Sequence, residues 1–249
     1  MELLNVIIDK KNIAYKNNFS KINNPKITIV FLCGFMSDME GTKSQHLQNF
    51  CTQKNLGYLC FDYSGHGQSS GNILDGCISD WLNETVTMVK KHTTTPVILV
   101  GSSMGGWLSL LAALELSEKV VGILNIAPAV DFTEILMWDL FSEEEKKTLL
   151  SEGLVRIEKA SGAIYNITKK MIEDGRKHLL LTKGINLDIP IILLHGLNDN
   201  IVPVRVSLAL IDKLTSDQST LIISKSADHR MSSPQDLDLI SDSVAKIIK

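Results

Sequence analysis

Residues 97–106 are Val97-Ile98-Leu99-Val100-Gly101-Ser102-Ser103-Met104-Gly105-Gly106, an apolar run followed by small residues around two serines. A short apolar run that ends in glycine is typical of a strand buried on both faces. Gly101 and Gly105 leave space for a sharp turn between this strand and a following helix. The stretch therefore predicts a strand, a tight turn of the G-x-S-x-G type and a helix, with Ser103 at the turn.

A serine at such a turn projects out of the backbone, where a base and hydrogen-bond donors can reach its hydroxyl. This favours Ser103, rather than Ser102, as a candidate nucleophile. One alternative is a turn whose small residues serve packing alone. A phosphate-binding loop is a poorer match, because residues 101–106 have neither the G-x-G-x-x-G spacing nor a following lysine.

The composition indicates one globular α/β domain. The chain has 249 residues, 44% of them hydrophobic, which is enough for a full core. The net charge of −3, without a basic block, gives no indication of nucleic-acid binding. Four cysteines lack C-x-x-C spacing and are expected to be reduced, so neither a metal nor a cofactor is expected: Cys33, Cys51, Cys60 and Cys77.

From residue 26 onward, short apolar runs alternate with longer helix-like stretches, the pattern of a mostly parallel sheet with helices on both faces. Strands are predicted at Lys26–Leu32, Tyr58–Asp62, Val97–Gly101, Val120–Ile126, Pro190–His195 and Thr220–Ser224, after an antiparallel hairpin of Val6–Asp9 and Ile13–Lys16. Helices are predicted at Lys43–Lys54, Cys77–His92, Met104–Leu116, Pro203–Leu214 and Pro234–Ile248, the last two with Pro203 and Ser233-Pro234 as start signals.

The interval from about residue 131 to 188 is too long for a simple strand-to-helix connection. It carries two helical patterns of its own, Ser142–Leu150 and Thr168–Leu181. We therefore expect one domain, 1–249, with a helical cap at about 131–188 over the strand ends. Met137, Trp138, Leu140 and Phe141 in this segment are candidates for a substrate pocket, or else anchor the cap to the core.

In an open α/β sheet the reactive groups gather beyond the carboxyl ends of the strands. Asp199 lies in the loop after the predicted strand Pro190–His195, and His229 lies in the loop after the last predicted strand. The chain order Ser103, Asp199, His229 is the nucleophile, acid, base order of α/β hydrolases. His229 would take the Ser103 proton, and Asp199 would orient the imidazole.

Other acids and histidines compete for these roles. Asp131 follows the predicted strand Val120–Ile126, where some hydrolases carry the acid, and Asp228 adjoins His229 in sequence. Asp199 is preferred to both. His195 is expected to hydrogen-bond the loop that holds Asp199, and His66, in a glycine-rich turn, either packs or touches substrate.

Two backbone N–H groups are needed to bind a developing oxyanion. Met104, directly after the nucleophile, is one candidate. Phe35 is the other, because it follows Gly34 in the loop after the first parallel strand.

With these residues in hand, nearly the whole chain resembles serine hydrolases of the α/β hydrolase fold. Gly34 to Lys43, Asp62 to Gly67 and Ser226 to Met231 resemble the branch of mitochondrial acyl-protein thioesterases that also cleave acyl glucuronides. The resemblance implies hydrolysis of esters or acyl thioesters by Ser103, Asp199 and His229, with Phe35 and Met104 as oxyanion donors.

We therefore expect a serine esterase or thioesterase acting through an acyl-enzyme on Ser103, with a small-molecule or acylated-protein substrate. The alternatives are a catalytically silent ligand-binding protein on the same fold and a peptidase using the same residues. The first residues lack a basic, apolar leader pattern, and no later run is long enough to span a bilayer. The expected location is cytoplasmic, without stable membrane insertion.

Overall fold

The computed structural model describes residues 1–158 and 164–249. Within them lies a sheet of eight strands in the order β1-β2-β4-β3-β5-β6-β9-β10, beside a separate two-stranded sheet formed by β7 and β8. The strands are β1 Leu4–Ile8, β2 Lys11–Asn17, β3 Thr28–Leu32, β4 Gly57–Phe61, β5 Val97–Ser102, β6 Val120–Ile126, β7 Leu154–Glu158, β8 Ile164–Thr168, β9 Ile191–Gly196 and β10 Ser219–Ser224.

The large sheet is parallel from β4 to β10, and β2 pairs antiparallel with both of its neighbours, β1 and β4, at one side of the sheet. This confirms the predicted fold class and the predicted hairpin. The central strands β3, β4 and β5 are buried along their whole lengths. Such strands need apolar residues at successive positions, which is why their sequences do not alternate.

Helices cover both faces of this sheet. They are α1 Thr42–Gln53, α2 Ile78–His92, α3 Met104–Glu115, α4 Glu143–Glu152, α5 Lys169–Gly175, α6 Arg205–Lys213 and α7 Pro234–Ile248. On β6, Gly122 faces Ile247 of α7 and Asn125 bonds the Gly106 carbonyl of α3. Residues an odd number apart on a strand point to opposite faces, so α7 and α3 lie on opposite sides.

Of the two helix start signals in the sequence, the structure confirms the one before α7 but not the one before α6. Ser233 caps α7 as predicted: its Oγ accepts from the N–H of Asp236, whose carboxylate accepts from the Ser233 N–H. Pro203 does not open its helix, because α6 begins at Arg205. Pro203 lies just before Val204, the N-cap residue of α6, and its carbonyl accepts a hydrogen bond from Val206 N–H in the turn that leads into the helix.

The cap differs from the purely helical segment expected. Helix α4 matches its prediction, but α5 ends at Gly175 and is followed by a short 3₁₀ turn, Arg176–His178. Between them β7 and β8 form an antiparallel hairpin that was not predicted. In β7 the buried Val155 and Ile157 alternate with exposed residues, a two-residue period that a helical interpretation of the region overlooks. Residues 159–163 of the expected cap lie outside the described residues, and the single-domain division stays a prediction.

The turn from β5 to α3 is closed by glycines in direct backbone contact. A Cβ atom on Gly105 would lie 2.1 Å from the Leu32 carbonyl oxygen of β3, and one on Gly101 would lie 2.2 Å from the Gly105 oxygen. Only glycine permits backbones to approach this closely. The G-x-S-x-G pattern is therefore a packing requirement of the turn.

We predict that Gly105→Ala lowers the free energy of unfolding by about 3 kcal/mol, because rigid backbone must move to admit the methyl group. Gly184→Ala is the control, since a Cβ there meets no atom within 4 Å. Urea denaturation followed by circular dichroism measures both variants. Equal unfolding midpoints for Gly105→Ala and Gly184→Ala would contradict this account of the turn.

Candidate active site

Ser103 occupies the single residue between β5 and α3, with φ 55° and ψ −118°. A non-glycine residue in such a region costs about 1–3 kcal/mol and needs support from its surroundings. That support includes hydrogen bonds from Ser103 N–H to the Ile126 carbonyl and from Ala129 N–H to the Ser103 carbonyl, each 3.0 Å. Ser103 is half-buried, whereas Ser102 is buried, so the structure presents Ser103 to solvent as predicted.

The structure brings Asp199 and His229 together. His229 Nδ1 lies 2.7 Å from Asp199 Oδ2, and the side chain of Asp199 is fully buried. The other oxygen, Oδ1, accepts from the N–H groups of Ile201 and Val202, both at 2.8 Å. The carboxylate is thus fixed by its own loop and directed at the imidazole.

His195 supports this pair from within the sheet, as expected from the sequence. The Nδ1 atom of its buried ring is hydrogen-bonded to Ser207 Oγ at 2.7 Å, and Nε2 donates to the Val202 carbonyl at 2.8 Å. The same Nε2 is 3.3 Å from Asp199 Oδ2. Burial by itself would raise the pKa of Asp199, but the hydrogen bonds from His195 and His229 outweigh it and hold that pKa well below its usual range.

The two rival acids have other partners. Asp131 accepts from the N–H groups of Leu180 and Leu181 at 2.8–3.1 Å, and so ties the cap to the end of β6. Asp228 accepts from Arg230 N–H at 2.9 Å and from Met231 N–H at 3.2 Å within its own turn. Neither carboxylate is hydrogen-bonded to His229 among the described residues.

The loop after β3 passes directly beside Ser103. A Cβ atom on Gly34 would lie 3.2 Å from Ser103 Cβ and 3.7 Å from its Oγ. Phe35 follows, and its ring is enclosed by His66, Trp81 and Phe132 at centroid distances of 5.9–6.1 Å. This anchored ring fixes the backbone of the loop next to Ser103.

Met104 is the first residue of α3, so its N–H is among the helix N–H groups that lack a partner within the helix. No hydrogen bond joins Ser103 to His229 in the described residues. Catalytic hydrogen bonds in ligand-free hydrolases are often long and tighten when substrate binds. The site thus has two parts. One is the hydrogen-bonded pair of Asp199 and His229, and the other is the strained Ser103 with the Phe35 loop beside it.

Sequence reasoning missed the carboxylates that hold the glycine-rich turn of residues 62–67. Buried Asp62 accepts from Met39 N–H at 2.7 Å and from Gln68 N–H at 2.8 Å, linking the Phe35 loop to this turn. Buried Glu84 accepts from Ser64 N–H at 2.9 Å. The sequence signal for Asp62 was its position between a buried strand and a glycine-rich turn. Glu84 lies on a helix, and the sequence carries no signal for its role.

His66 is buried in this turn and packs against Phe35. Its Nδ1 lies 3.2 Å from the Ser64 carbonyl, and its Nε2 has no partner in the described parts of the chain. Burial lowers the pKa of His66, which favours the neutral ring. The packing role considered for His66 fits these contacts.

The four cap residues predicted to line a substrate pocket differ in how deeply they are buried. Trp138 is half-buried, with the Arg176 guanidinium 4.5 Å and the Lys146 amine 5.7 Å from its ring centroid. Met137 is half-buried, Phe141 is buried and Leu140 is 61% exposed. Their substrate-binding roles stay predictions.

Together, the sheet, the strained serine and the aspartate–histidine pair define a serine hydrolase of the α/β hydrolase class. The family model described as serine aminopeptidase, S33, matches residues 23–151. The chain is 35% identical to the human mitochondrial palmitoyl-protein thioesterase ABHD10, over 96% of this chain and 78% of that protein. The chain therefore belongs to the α/β hydrolases, in the family described as serine aminopeptidase, S33.

Solved structures agree. A putative hydrolase from Agrobacterium vitis S4 superposes with a TM-score of 0.91 at 32% identity, covering 100% of this chain and 98% of that one. The mouse α/β hydrolase domain-containing protein 10 gives a TM-score of 0.90 at 30% identity, with the same coverage. These comparisons confirm the predicted fold, the predicted resemblance and the predicted enzyme class, a serine hydrolase of esters or thioesters.

The cytoplasmic location expected from the sequence is wrong, since the human and bovine relatives are named mitochondrial and point there instead. The expectation rested on the first residues, and where a given sequence begins does not establish a location. Among the described residues, no helix is both long and apolar enough to cross a membrane. The same residues contain no group of three or more potential metal ligands.

We predict that Asp62→Asn lowers the free energy of unfolding by about 2 kcal/mol, because an amide leaves a buried N–H donor without its acceptor. Asp228→Asn is the control, because Asp228 is exposed and a single oxygen, Oδ1, accepts both of its N–H groups and is kept in asparagine. Urea titrations measure both. An Asp228→Asn loss as large as that of Asp62→Asn would contradict the role assigned to the buried Asp62 carboxylate.

Proposed function

We propose that the protein hydrolyses acyl thioesters and carboxylic esters through Ser103, His229 and Asp199, with Phe35 and Met104 as oxyanion donors. The observation that carries the proposal is the 2.7 Å contact between Asp199 Oδ2 and His229 Nδ1 in loops beyond the same sheet edge as strained Ser103. The thioesterase relatives, which match 96% of the chain, support the choice of substrate.

The chemistry follows from this arrangement. Asp199 accepts the Nδ1 proton of His229, which leaves Nε2 free to act as the base. As Ser103 Oγ attacks the acyl carbon, Nε2 takes the hydroxyl proton, and the carbonyl oxygen becomes an oxyanion. The N–H groups of Phe35 and Met104 would stabilise that charge, each contributing about 10²–10³ in rate.

Collapse of this intermediate breaks the bond to the leaving group, a thiolate or alkoxide, which takes the proton from His229. The acyl group then remains on Ser103 as an ester. Water attacks the ester with His229 again accepting a proton, and the acid and free Ser103 are released. Asp199 stays ionised throughout, in keeping with its depressed pKa.

The acyl chain would bind under the cap near Met137, Trp138 and Phe141. The support for this placement is the start of the cap segment: Phe132 packs on the Phe35 ring at 6.0 Å, so the following residues leave the core next to the oxyanion loop. The relatives named palmitoyl-protein thioesterase favour an acylated protein as the acyl donor.

The description of the family model favours a second candidate, peptide hydrolysis by the same three residues. Both candidates share the acyl-enzyme on Ser103 and differ in the leaving group. Relatives matching nearly the whole chain are thioesterases, whereas the family model matches residues 23–151, which favours the first candidate.

We predict that Ser103→Ala abolishes labelling by a fluorophosphonate probe and lowers kcat by about 10⁶-fold, because no other group replaces the nucleophile. Ser102→Ala, which removes the neighbouring buried hydroxyl, is the control and keeps both. Labelling of Ser103→Ala at the wild-type rate would refute the proposal.

The substrate class is tested separately with the wild-type enzyme. Acyl thioesters and p-nitrophenyl esters of increasing chain length should be cleaved, whereas turnover of aminoacyl p-nitroanilides alone would favour the peptidase.

We predict that Asp199→Asn lowers kcat by about 10⁴-fold, because the amide cannot hold the imidazole in the working tautomer. Asp131→Asn and Asp228→Asn remove carboxylates that bind only backbone N–H groups, so kcat should stay within about tenfold of wild type. Hydrolysis of p-nitrophenyl butyrate compares the three. A larger loss for Asp131→Asn than for Asp199→Asn would assign the acid to Asp131.

A further inference from the structure

Lys43 links the first helix to the loop that carries His229. It lies in the first turn of α1, at the end of the Gly34 to Lys43 stretch, and its Nζ donates to the Arg230 carbonyl at 2.6 Å. Arg230 directly follows His229. The bond therefore joins helix α1 to the residue next to the His229 imidazole, 187 positions later in the chain. The proposed mechanism assigns Lys43 no role.

The surroundings of Lys43 favour this bond. The side chain is half-buried, and burial lowers its pKa to about 8. Asp228 and Asp236 stabilise its positive charge, while Arg230 opposes it. An amine that is partly removed from water loses more when its acceptor is missing than an exposed amine does.

A second contact on α1 strengthens the link. His46, one turn after Lys43, places Nε2 2.6 Å from Ser241 Oγ of α7. Residues three apart lie on the same face of a helix. This face of α1 therefore contacts both the His229 loop and the helix that follows it.

Other contacts of the His229 loop come from nearby turns: Ser232 Oγ also donates to the Arg230 carbonyl at 2.9 Å, and Asn198 N–H donates to the Ala227 carbonyl at 3.0 Å. The turn of this loop is closed by the Asp228 carboxylate, which is exposed, and Met231 adopts a positive φ of 44°. A strained turn persists only where the surrounding structure determines it. Lys43 adds a contact from helix α1 to the carbonyl of the residue that follows His229.

We propose that Lys43 is a positioning residue for His229, holding the Arg230 carbonyl so that the imidazole keeps its place between Asp199 and Ser103. This inference rests on the proposed function. It assigns a role to a stretch that meets the active site twice, at Gly34 beside Ser103 and at Lys43 beside the base. The proton transfer itself stays with His229.

Loss of Lys43 should therefore affect catalysis rather than binding. A small displacement of a catalytic group can lower the rate by about 10²-fold, because proton transfer needs close alignment. We predict that Lys43→Met lowers kcat and the fluorophosphonate labelling rate by about 10- to 100-fold. KM should change by less than about threefold, because Lys43 is not expected to touch substrate. Lys43→Arg, which keeps a cationic donor, should restore most of the rate.

The matched control is Lys119→Met. Lys119 Nζ also donates to a backbone carbonyl, that of Thr93, at 2.6 Å, but it lies before β6 at the opposite ends of the strands from the active site. It should alter stability without altering kcat. Urea midpoints for all variants identify any that fail to fold, and Lys43→Gln replaces Lys43→Met in that case.

Wild-type kcat in Lys43→Met, a loss confined to KM, equal kcat losses in Lys43→Met and Lys119→Met, or no recovery in Lys43→Arg would each overturn the positioning role. Failure of the proposed function gives a different result, namely a wild-type enzyme that the probe does not label or a Ser103→Ala variant that it still labels. The two failures are therefore distinguishable in one set of experiments.

Discussion

The contact between Gly105 and the Leu32 carbonyl is the constraint on which the other features of the site depend. It lets α3 start directly against β3, and the chain turns from β5 into α3 at Ser103, which has a positive φ. The strain at Ser103 is thus balanced by packing of the two central strands. Because those strands also end at this point, the loop carrying Phe35 leaves β3 beside the serine, where the packed Phe35 ring and the Asp62 carboxylate hold it.

Around the turn at Ser103, three buried aspartates hold the loops in the same way, each accepting hydrogen bonds from two backbone N–H groups. Asp62 holds the Phe35 loop, Asp131 holds the cap and Asp199 holds its own loop. Burial raises the pKa of Asp62 and Asp131, whereas the histidines beside Asp199 reverse that effect. Of the three, Asp199 therefore has the electrostatic environment of an acid that stays ionised beside an imidazole.

Much of this was predictable from the sequence, and the reason is local. The strands of the large sheet, the N-terminal cap of α7 and the turn at Ser103 depend on neighbouring residues, whose spacing is visible in the chain. The β7–β8 hairpin was missed because its alternation is only five residues long and adjoins a helical pattern. The bonds of Asp62, Glu84 and Lys43 could not be predicted, since each joins residues at least six and in most cases twenty or more positions apart, and no periodicity encodes such pairs.

The central claim is that acyl transfer passes through Ser103, and trapping the intermediate tests it most directly. The wild-type enzyme would be mixed with a long-chain acyl thioester, quenched with acid within one turnover, digested and analysed by mass spectrometry. The account predicts the acyl mass on the peptide containing Ser103. An acyl group found instead on Cys33, or thiol release with no covalent adduct at any time, would contradict it.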